Sequence, residues 1–330
     1  MTLATERIGP VAEAIGLPAG FPLGRFAPVR RLNRRMQAHL LVRRLARSRG
    51  LPRLLWLSDW WQIDVARRLG PGRCLVECQD DPRQVFAGSP SRLAELPDQR
   101  AAVLARADLI AAVDSRLLEG IRDGSGRFAV VPNGISREFL AAGAGEWPEP
   151  PALAGRRRPR LAVVAGEWSF EHRVDHELLS AALARLEGWT LLLVGVPRRP
   201  GPGLSHLLCQ PGVVALPAQP HLDLVPLLRA CDVGAVPYQQ AAGRDALKTY
   251  EYLACGLPVV LTVDQPQPRL ARWTAVVPDV AGFVAACTRL ARDHFAEPEQ
   301  VREILAGMTW ERRAEALLHR LDAIRPPQEG

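Results

Sequence analysis

The stretch CDVGAVPYQQAAGRDALKTYEYLACGLPVVL, residues 231–261, decides how the rest of the chain is read. DVGAVPY is an apolar run of strand type, QQAAGRDA a polar loop, and LKTYEYLACG a helix beginning near Asp245 or Ala246. A Gly-Leu-Pro break then leads into a second apolar run, PVVLTV. Lys248 and Glu251 lie three apart, so the helix puts them on one face. Two readings follow from that spacing. The pair is either a solvated ion pair worth about 0.3 kcal/mol, or a cation and an acceptor held ready for a ligand.

The same alternation continues outward. In the second half RLAVVAG, TLLLVGV, GVVALP, DVGAVPY, PVVLTV and WTAVVP read as strands, and DHELLSAALARLE, HLDLVPLLRAC and VAGFVAACTRLARDHF as helices between them. TWERRAEALLHRLDAI closes the chain as a long amphipathic helix capped by Thr309. In the first half RLLWLS, RCLVEC, DLIAAVD and FAVVPNGI are strand candidates. DWWQIDVARRLG, LAELPDQRAAVLARA and SRLLEGIRDG are helical, the last capped by Ser115 and stopped at Gly124. Alternating strands and helices predict α/β architecture with parallel sheets covered on both faces. The Pro/Gly-rich, basic segment 143–160 breaks the rhythm and is the expected linker. The domains expected are 1–148 and 149–330, two Rossmann-like halves facing across a cleft, with ligands at the carboxyl ends of the strands. The last helix is free to pack back on the first domain.

Length and composition agree with that picture. A chain of 330 residues with 48% apolar and 23% charged residues is globular and large enough for two cores. The formal charge of +7 favours anionic partners. Nine arginines fall between Arg25 and Arg49, and no acid stands between Glu13 and Asp59. Val29, Leu32, Met36, Leu40, Leu41 and Leu45 recur there at helical spacing, which predicts a basic amphipathic helix near 28–49. It either lies on an anionic leaflet through Arg30, Arg31, Arg34, Arg35, Arg43 and Arg44, or packs its leucines on the first sheet. Nucleic acid is not an expected partner, since interleaved aromatics and known modules are missing. The six cysteines sit mostly in apolar runs and read as buried free thiols in a reducing cytoplasm. No apolar stretch reaches the length of a membrane span. The expected location is therefore cytoplasmic, with a peripheral association on the inner face of the membrane.

Chemistry concentrates in the opening stretch. Backbone N–H groups at the helix start attract phosphate, Lys248 adds a full charge, and Glu251 accepts hydrogen bonds from a vicinal diol such as ribose. Together they describe a site for a nucleoside diphosphate. ECQDDP places Asp80 and Asp81 at a strand end, where a carboxylate can deprotonate an acceptor hydroxyl. The competing reading has one aspartate capping the following turn and the other solvated. His172 and His176 lack the HExxH order and a third ligand, so no metal is expected. No phosphate-binding or nucleophile motif of the Walker A, GxGxxG or GxSxG type is present.

LKTYEYLACGLPVV preceded by CDVGAVPY resembles the donor-binding signature of GT-B glycosyltransferases, closest to the bacterial group 1, family 4-like branch. LIAAVDSRLLEGI…FAVVPNGIS, RLAVVAGEWSFEHRVDHELL, WTLLLVGVP, GVVALPAQPHLDLVPLLRACDVGAVPY and MTWERRAEALLHRL are similar to further segments of that family and stand in its order. The resemblance covers the chain from about residue 50 to the end. It implies a GT-B fold and transfer of a hexose-type sugar from a nucleotide diphosphate donor to a hydroxyl acceptor: a glycan, a lipid-linked acceptor or a small molecule. Metal and other cofactors are not implied. Glu251 inherits the ribose and Lys248 the diphosphate. Gly166 and Glu167 would line the phosphate loop, Arg173 would reach it unless it pairs with Asp175 or Glu177, and Tyr238 and Tyr250 complete the donor set. LPAQP, 216–220, would read the nucleobase through its backbone. Two departures stand out. Gly243 occupies the position where many relatives keep an acid on the transferred sugar, with Asp245 a shifted substitute. The first 50 residues also replace the family's opening strand and glycine loop, so the N-terminal domain is shortened. The alternative reading is a non-catalytic GT-B-like partner or regulatory subunit.

Overall fold

The computed structural model describes residues 4–7, 13–16, 27–47, 54–58, 62–63, 67–68, 72–86, 88–239, 245–262, 267–293 and 298–324. Side chains of strands 4–7 and 13–16, and those of Ala27, Arg30 and residues 44–47, lie outside that description. So do Gly243 and most of the expected helix DWWQIDVARRLG.

The chain divides into two compact units, Met1–Val131 with Leu317–Gly330, and Pro132–Ala316. The division falls before the 148/149 boundary read from the sequence. The reason is local: the helix Arg137–Gly143 packs so closely on the Leu247–Ala254 helix that a Cβ on Gly143 would stand 2.6 Å from the Ala254 carbonyl oxygen. The Pro/Gly-rich segment follows that packing and does not precede it.

The first unit holds an antiparallel pair, β1 (Ala4–Arg7) and β2 (Glu13–Gly16), within the opening segment where the sequence marks no strand. Its main sheet has four parallel strands in the order β3 (Leu54–Leu57), β4 (Arg73–Cys78), β5 (Leu109–Ala112), β6 (Phe128–Val130). Period-two alternation sends Cys74, Val76, Ile110 and Ala112 to one core and Leu75, Leu109 and Ala111 to the other. That second face is covered by Leu317 and Leu321 from the end of the terminal helix Trp310–Ala323. Arg73 fastens the same helix end, donating to the Ile324 carbonyl at 3.0 Å and pairing with Asp322 at 3.2 Å.

The second unit has six parallel strands: β7 (Arg160–Val164), β8 (Thr190–Val194), β9 (Val213–Leu216), β10 (Val233–Val236), β11 (Val259–Leu261) and β12 (Thr274–Val276). Their order is β9-β8-β7-β10-β11-β12, so chain direction across the sheet reverses between β7 and β10. This is the doubly wound 3-2-1-4-5-6 order, whose reversal opens a crevice at the strand ends. Both faces are buried, Ala162, Val164, Leu192, Val236 and Val259 on one and Leu161, Val163, Leu193, Ala235 and Val260 on the other. Near-continuous apolar strands follow from that double burial. All ten strands of the two main sheets coincide with the runs read from the sequence, and the fold class is α/β with parallel sheets, as expected. The SRLLEGIRDG helix is shorter than expected: Ser115–Leu118 makes one 3₁₀ turn, capped by Asp114 and not by Ser115.

Candidate functional site

The reversal point sets the site. On one side β7 leads into Ala165 and Gly166, and on the other β10 leads into Pro237 and Tyr238. The helix Leu247–Ala254 is fixed between them by Tyr252, which is fully buried. Its hydroxyl accepts the Val164 N–H at 2.8 Å and donates to the Ala235 carbonyl at 3.2 Å, tying the helix to β7 and β10 together. Gly234 makes room for it, since a Cβ there would lie 2.4 Å from the tyrosine ring. The next loop is equally tight. Gly195, with φ near +99°, sits so close to Ala165 that a Cβ would overlap its carbonyl oxygen at 1.8 Å.

With Tyr252 buried on the sheet, Glu251 is carried at a fixed place. Its carboxylate, 2% exposed, receives Lys248 Nζ at 2.6 Å on one oxygen and His221 Nε2 at 3.1 Å on the other. Burial by itself would raise the Glu251 carboxyl; the His221 hydrogen bond and the Lys248 charge outweigh it, and the net displacement is downward. The group is therefore held as a carboxylate. His221 is half exposed and stacks on Phe139 with centroids 4.6 Å apart. Sequence reading missed this histidine. It stands one residue past the LPAQP segment, at the start of the 3₁₀ turn His221–Asp223, where no periodic pattern marks it.

Tyr250, expected on the donor, is engaged elsewhere. It is buried, and its hydroxyl donates to Asp245 at 2.6–2.7 Å. Burial first, and the neighbouring Asp245 charge second, push its phenol far above the ordinary range. Asp245 also accepts the Asn133 N–H at 2.6 Å, while Asn133 Nδ2 donates to the Asp245 carbonyl at 2.7 Å. The expected Pro-Asn-Gly turn thus anchors the start of the helix. Asp245 is a buried acid whose oxygens are taken up by Tyr250 and Asn133. Gly134 lets that turn lie against the chain at Trp310, whose backbone nitrogen would be 2.7 Å from a Cβ.

Gly166 and Glu167 are exposed at the start of the helix Glu167–His172. The Arg173 guanidinium lies over the Trp168 ring, 4.8 Å from its centroid, and the Arg173 carbonyl accepts the Gln239 N–H at 2.9 Å. Val174 bridges Tyr238, so the two loops flanking the reversal point are joined. His176 Nε2 is 2.6 Å from the Phe170 carbonyl, and among the described residues no cluster of three or more His, Cys, Asp or Glu is disposed to hold a metal.

Residues 159–293 match the family model described as Glycosyl transferases group 1. A sucrose-phosphate synthase from Thermosynechococcus elongatus superposes with a TM-score of 0.72 at 20% identity, covering 97% of this chain and 86% of its own. A trehalose-6-phosphate structure from E. coli bound with UDP-2-fluoro glucose gives 0.71 at 15%, covering 99% and 90%. The family match falls within the second unit, and the fold shared with these structures is GT-B. An alpha,alpha-trehalose 6-phosphate synthase from Burkholderia multivorans gives 0.69 at 16%, covering 99% and 88%. No curated relative matches the chain.

The first unit of this GT-B chain treats its two acidic candidates differently. Asp81 caps the turn Pro82–Val85, accepting the Arg83 N–H at 2.9 Å and the Arg83 guanidinium at 2.7 Å. Asp81 is thus engaged as the cap of this turn, the competing reading of ECQDDP. Asp80, half-buried beside it, lines a cavity on the same strand end. The basic helix spans Ala27–Arg47. It buries Asn33 and Ala38, and Arg34 donates to the buried Glu95 at 2.8 Å with Arg31 3.9 Å from the same carboxylate. Arg35 and Arg43 are exposed. No helix among the described residues is long and apolar enough to cross a membrane.

Proposed function

We propose that this protein transfers a hexose-type sugar from a nucleotide diphosphate donor to a hydroxyl acceptor, with the donor bound at the β7/β10 reversal. The observation that carries the reading is the buried, ionised Glu251 between Lys248 and His221. A buried carboxylate costs several kcal/mol unless compensated, and this one can exchange its partners for the two hydroxyls of a ribose. Lys248, freed by that exchange, turns to the diphosphate. The N–H groups opening Leu247–Ala254, Lys248 and Arg173 stabilise the leaving diphosphate in this reading, so no metal is required. Asp80 is the remaining candidate base. Arg31, Arg35 and Arg43 are the described arginines left to meet an anionic surface, and salt-insensitive sedimentation with phosphatidylglycerol liposomes would remove that association.

One observation favours the rival, a partner subunit without turnover: Asp81 is taken up by its cap and Arg83. Thermal shift and calorimetry with UDP, GDP and dTDP test the donor site, since affinity for the folded state appears as a raised Tm. One nucleotide should bind, and Glu251→Gln should weaken it by about thirtyfold, on the order of the 2 kcal/mol that a charge-assisted hydrogen bond contributes. Equal affinity in the variant would remove the donor site as drawn. Binding without hydrolysis or transfer across UDP-, GDP- and dTDP-sugars would favour the partner subunit.

A further inference from the structure

The first unit contains a cavity of about 550 Å³ that the donor site does not use. It lies at the carboxyl end of β4, between the helix Leu96–Arg106 and the turn Ser115–Leu118, and within the range of about 300–1,000 Å³ usual for small-molecule pockets. Leu93, Leu96, Leu104 and Leu117 give it apolar walls. Three arginines also line it, and two are neutralised: Arg83 by Asp81 at 2.7 Å and Arg116 by Asp114 at 2.7 Å. Arg100 is half-buried, its guanidinium 3.9 Å from where a Gly120 Cβ would stand, and among the described residues it has no hydrogen-bond or ion-pair partner. A cation without a partner on an apolar wall lacks the compensation that burial demands. A ligand anion can supply it.

We propose that this cavity binds an amphiphilic monoanion, its apolar body on the leucine walls and its carboxylate, or a phosphodiester of equal charge, on Arg100. Asp80 and Glu119 share the lining and repel a second negative charge, which selects a single charge over a diphosphate. The planar guanidinium fits a two-oxygen head group better than a point anion. The site goes beyond the donor reading and stands or falls without it.

Decanoate, 1-decanol and decyltrimethylammonium are the probes, titrated calorimetrically into the full chain below their micelle concentrations. Decanoate should saturate a site and bind about tenfold or more tighter than the other two, the difference expected of one charge-assisted contact. Arg100→Gln should bring decanoate down to the decanol level while leaving nucleotide binding unchanged. Ala101→Trp, an exposed helix position on the cavity wall, should weaken decanoate and decanol alike at unaltered Tm. Equal affinity for decanol and decanoate, or indifference to either substitution, would overturn the proposal. Vesicles of phosphatidylcholine and phosphatidylglycerol separate the two sources of such a head group. Binding of those vesicles without any binding of free decanoate would overturn a pocket for a small molecule.

Discussion

The two main sheets of this chain are both parallel, yet among the described strands only one has a reversal. The second unit runs β9-β8-β7-β10-β11-β12, and Gly166, Arg173, Tyr238 and the Leu247–Ala254 helix of the proposed donor site follow the two strands at which the order turns. The first unit runs β3-β4-β5-β6 in one direction, and the described strands contain no reversal. A reversal draws the following loops apart and leaves a crevice between them. In its absence the strand-end residues turn to one another, as Asp81 does to Arg83 and Asp114 to Arg116. Acids and cations of the same types therefore meet beside the reversal as Glu251 and Lys248 do in one unit, and close local turns as Asp81 and Asp114 do in the other.

The sharpest way to break that difference is to close the crevice. Gly195→Ala adds a Cβ at φ near +99° and 1.8 Å from the Ala165 carbonyl oxygen, on backbone that cannot yield cheaply. A strained position combined with a backbone clash should cost about 3–5 kcal/mol. Urea unfolding followed by tryptophan fluorescence measures it, and a loss under about 1 kcal/mol would mean that the loop is not fixed as described. Nucleotide binding should fall with it, because the displaced backbone borders the β7 exit.

A smaller effect separates the two aspartates. Asp80→Asn should lower transfer by about a hundredfold or more if Asp80 is the base, with stability little changed. Asp81→Ala should cost about 1 kcal/mol as a lost cap and leave the transfer rate within a few-fold. Equal loss of transfer in both variants, at equal stability, would return Asp81 to the chemistry. Neither substitution should alter nucleotide affinity, which belongs to the other unit.

What could be read from the sequence follows the same line. Lys248 and Glu251 were legible because both ride on one helix, and helical spacing fixes their face. For Tyr250 the same spacing leaves its direction open: only the fold brings its hydroxyl onto Asp245, which Asn133 also holds. His221 was invisible, since it reaches Glu251 from 30 residues away by way of a one-turn 3₁₀ segment. Asp81 had its cap written in advance, an aspartate directly before proline at a helix start, but the sequence alone left capping and catalysis open together. The β1–β2 pair carries no alternating apolar pattern in ATER and EAIG, so nothing in the sequence separated it from a loop. Regular elements were legible, and contacts made between distant loops were not.

The mildest test compares the units through their thiols. Cys74 and Cys78 report on the first unit, and Cys231, Cys255 and Cys287 on the second; all five are buried, and only Cys209 is exposed. Burial pushes the Cys74 thiol up to about 11 against a smaller opposing pull from Arg106, and pushes Cys231 and Cys255 up to about 12. The thiolate is the reactive form, so each unit of displacement above the ordinary value removes about tenfold of the reactive fraction at pH 8. Native protein should therefore give one fast thiol, from Cys209, four (Cys74, Cys231, Cys255 and Cys287) that react at least about a hundredfold more slowly, and Cys78 shielded by its burial. Gly195→Ala should release Cys231, Cys255 and Cys287 at a lower urea concentration than in the parent, with Cys74 and Cys78 following their original profile. If all five buried thiols shifted together, the two units would unfold as one, and strain at a loop in one sheet would be felt equally by the core of the other.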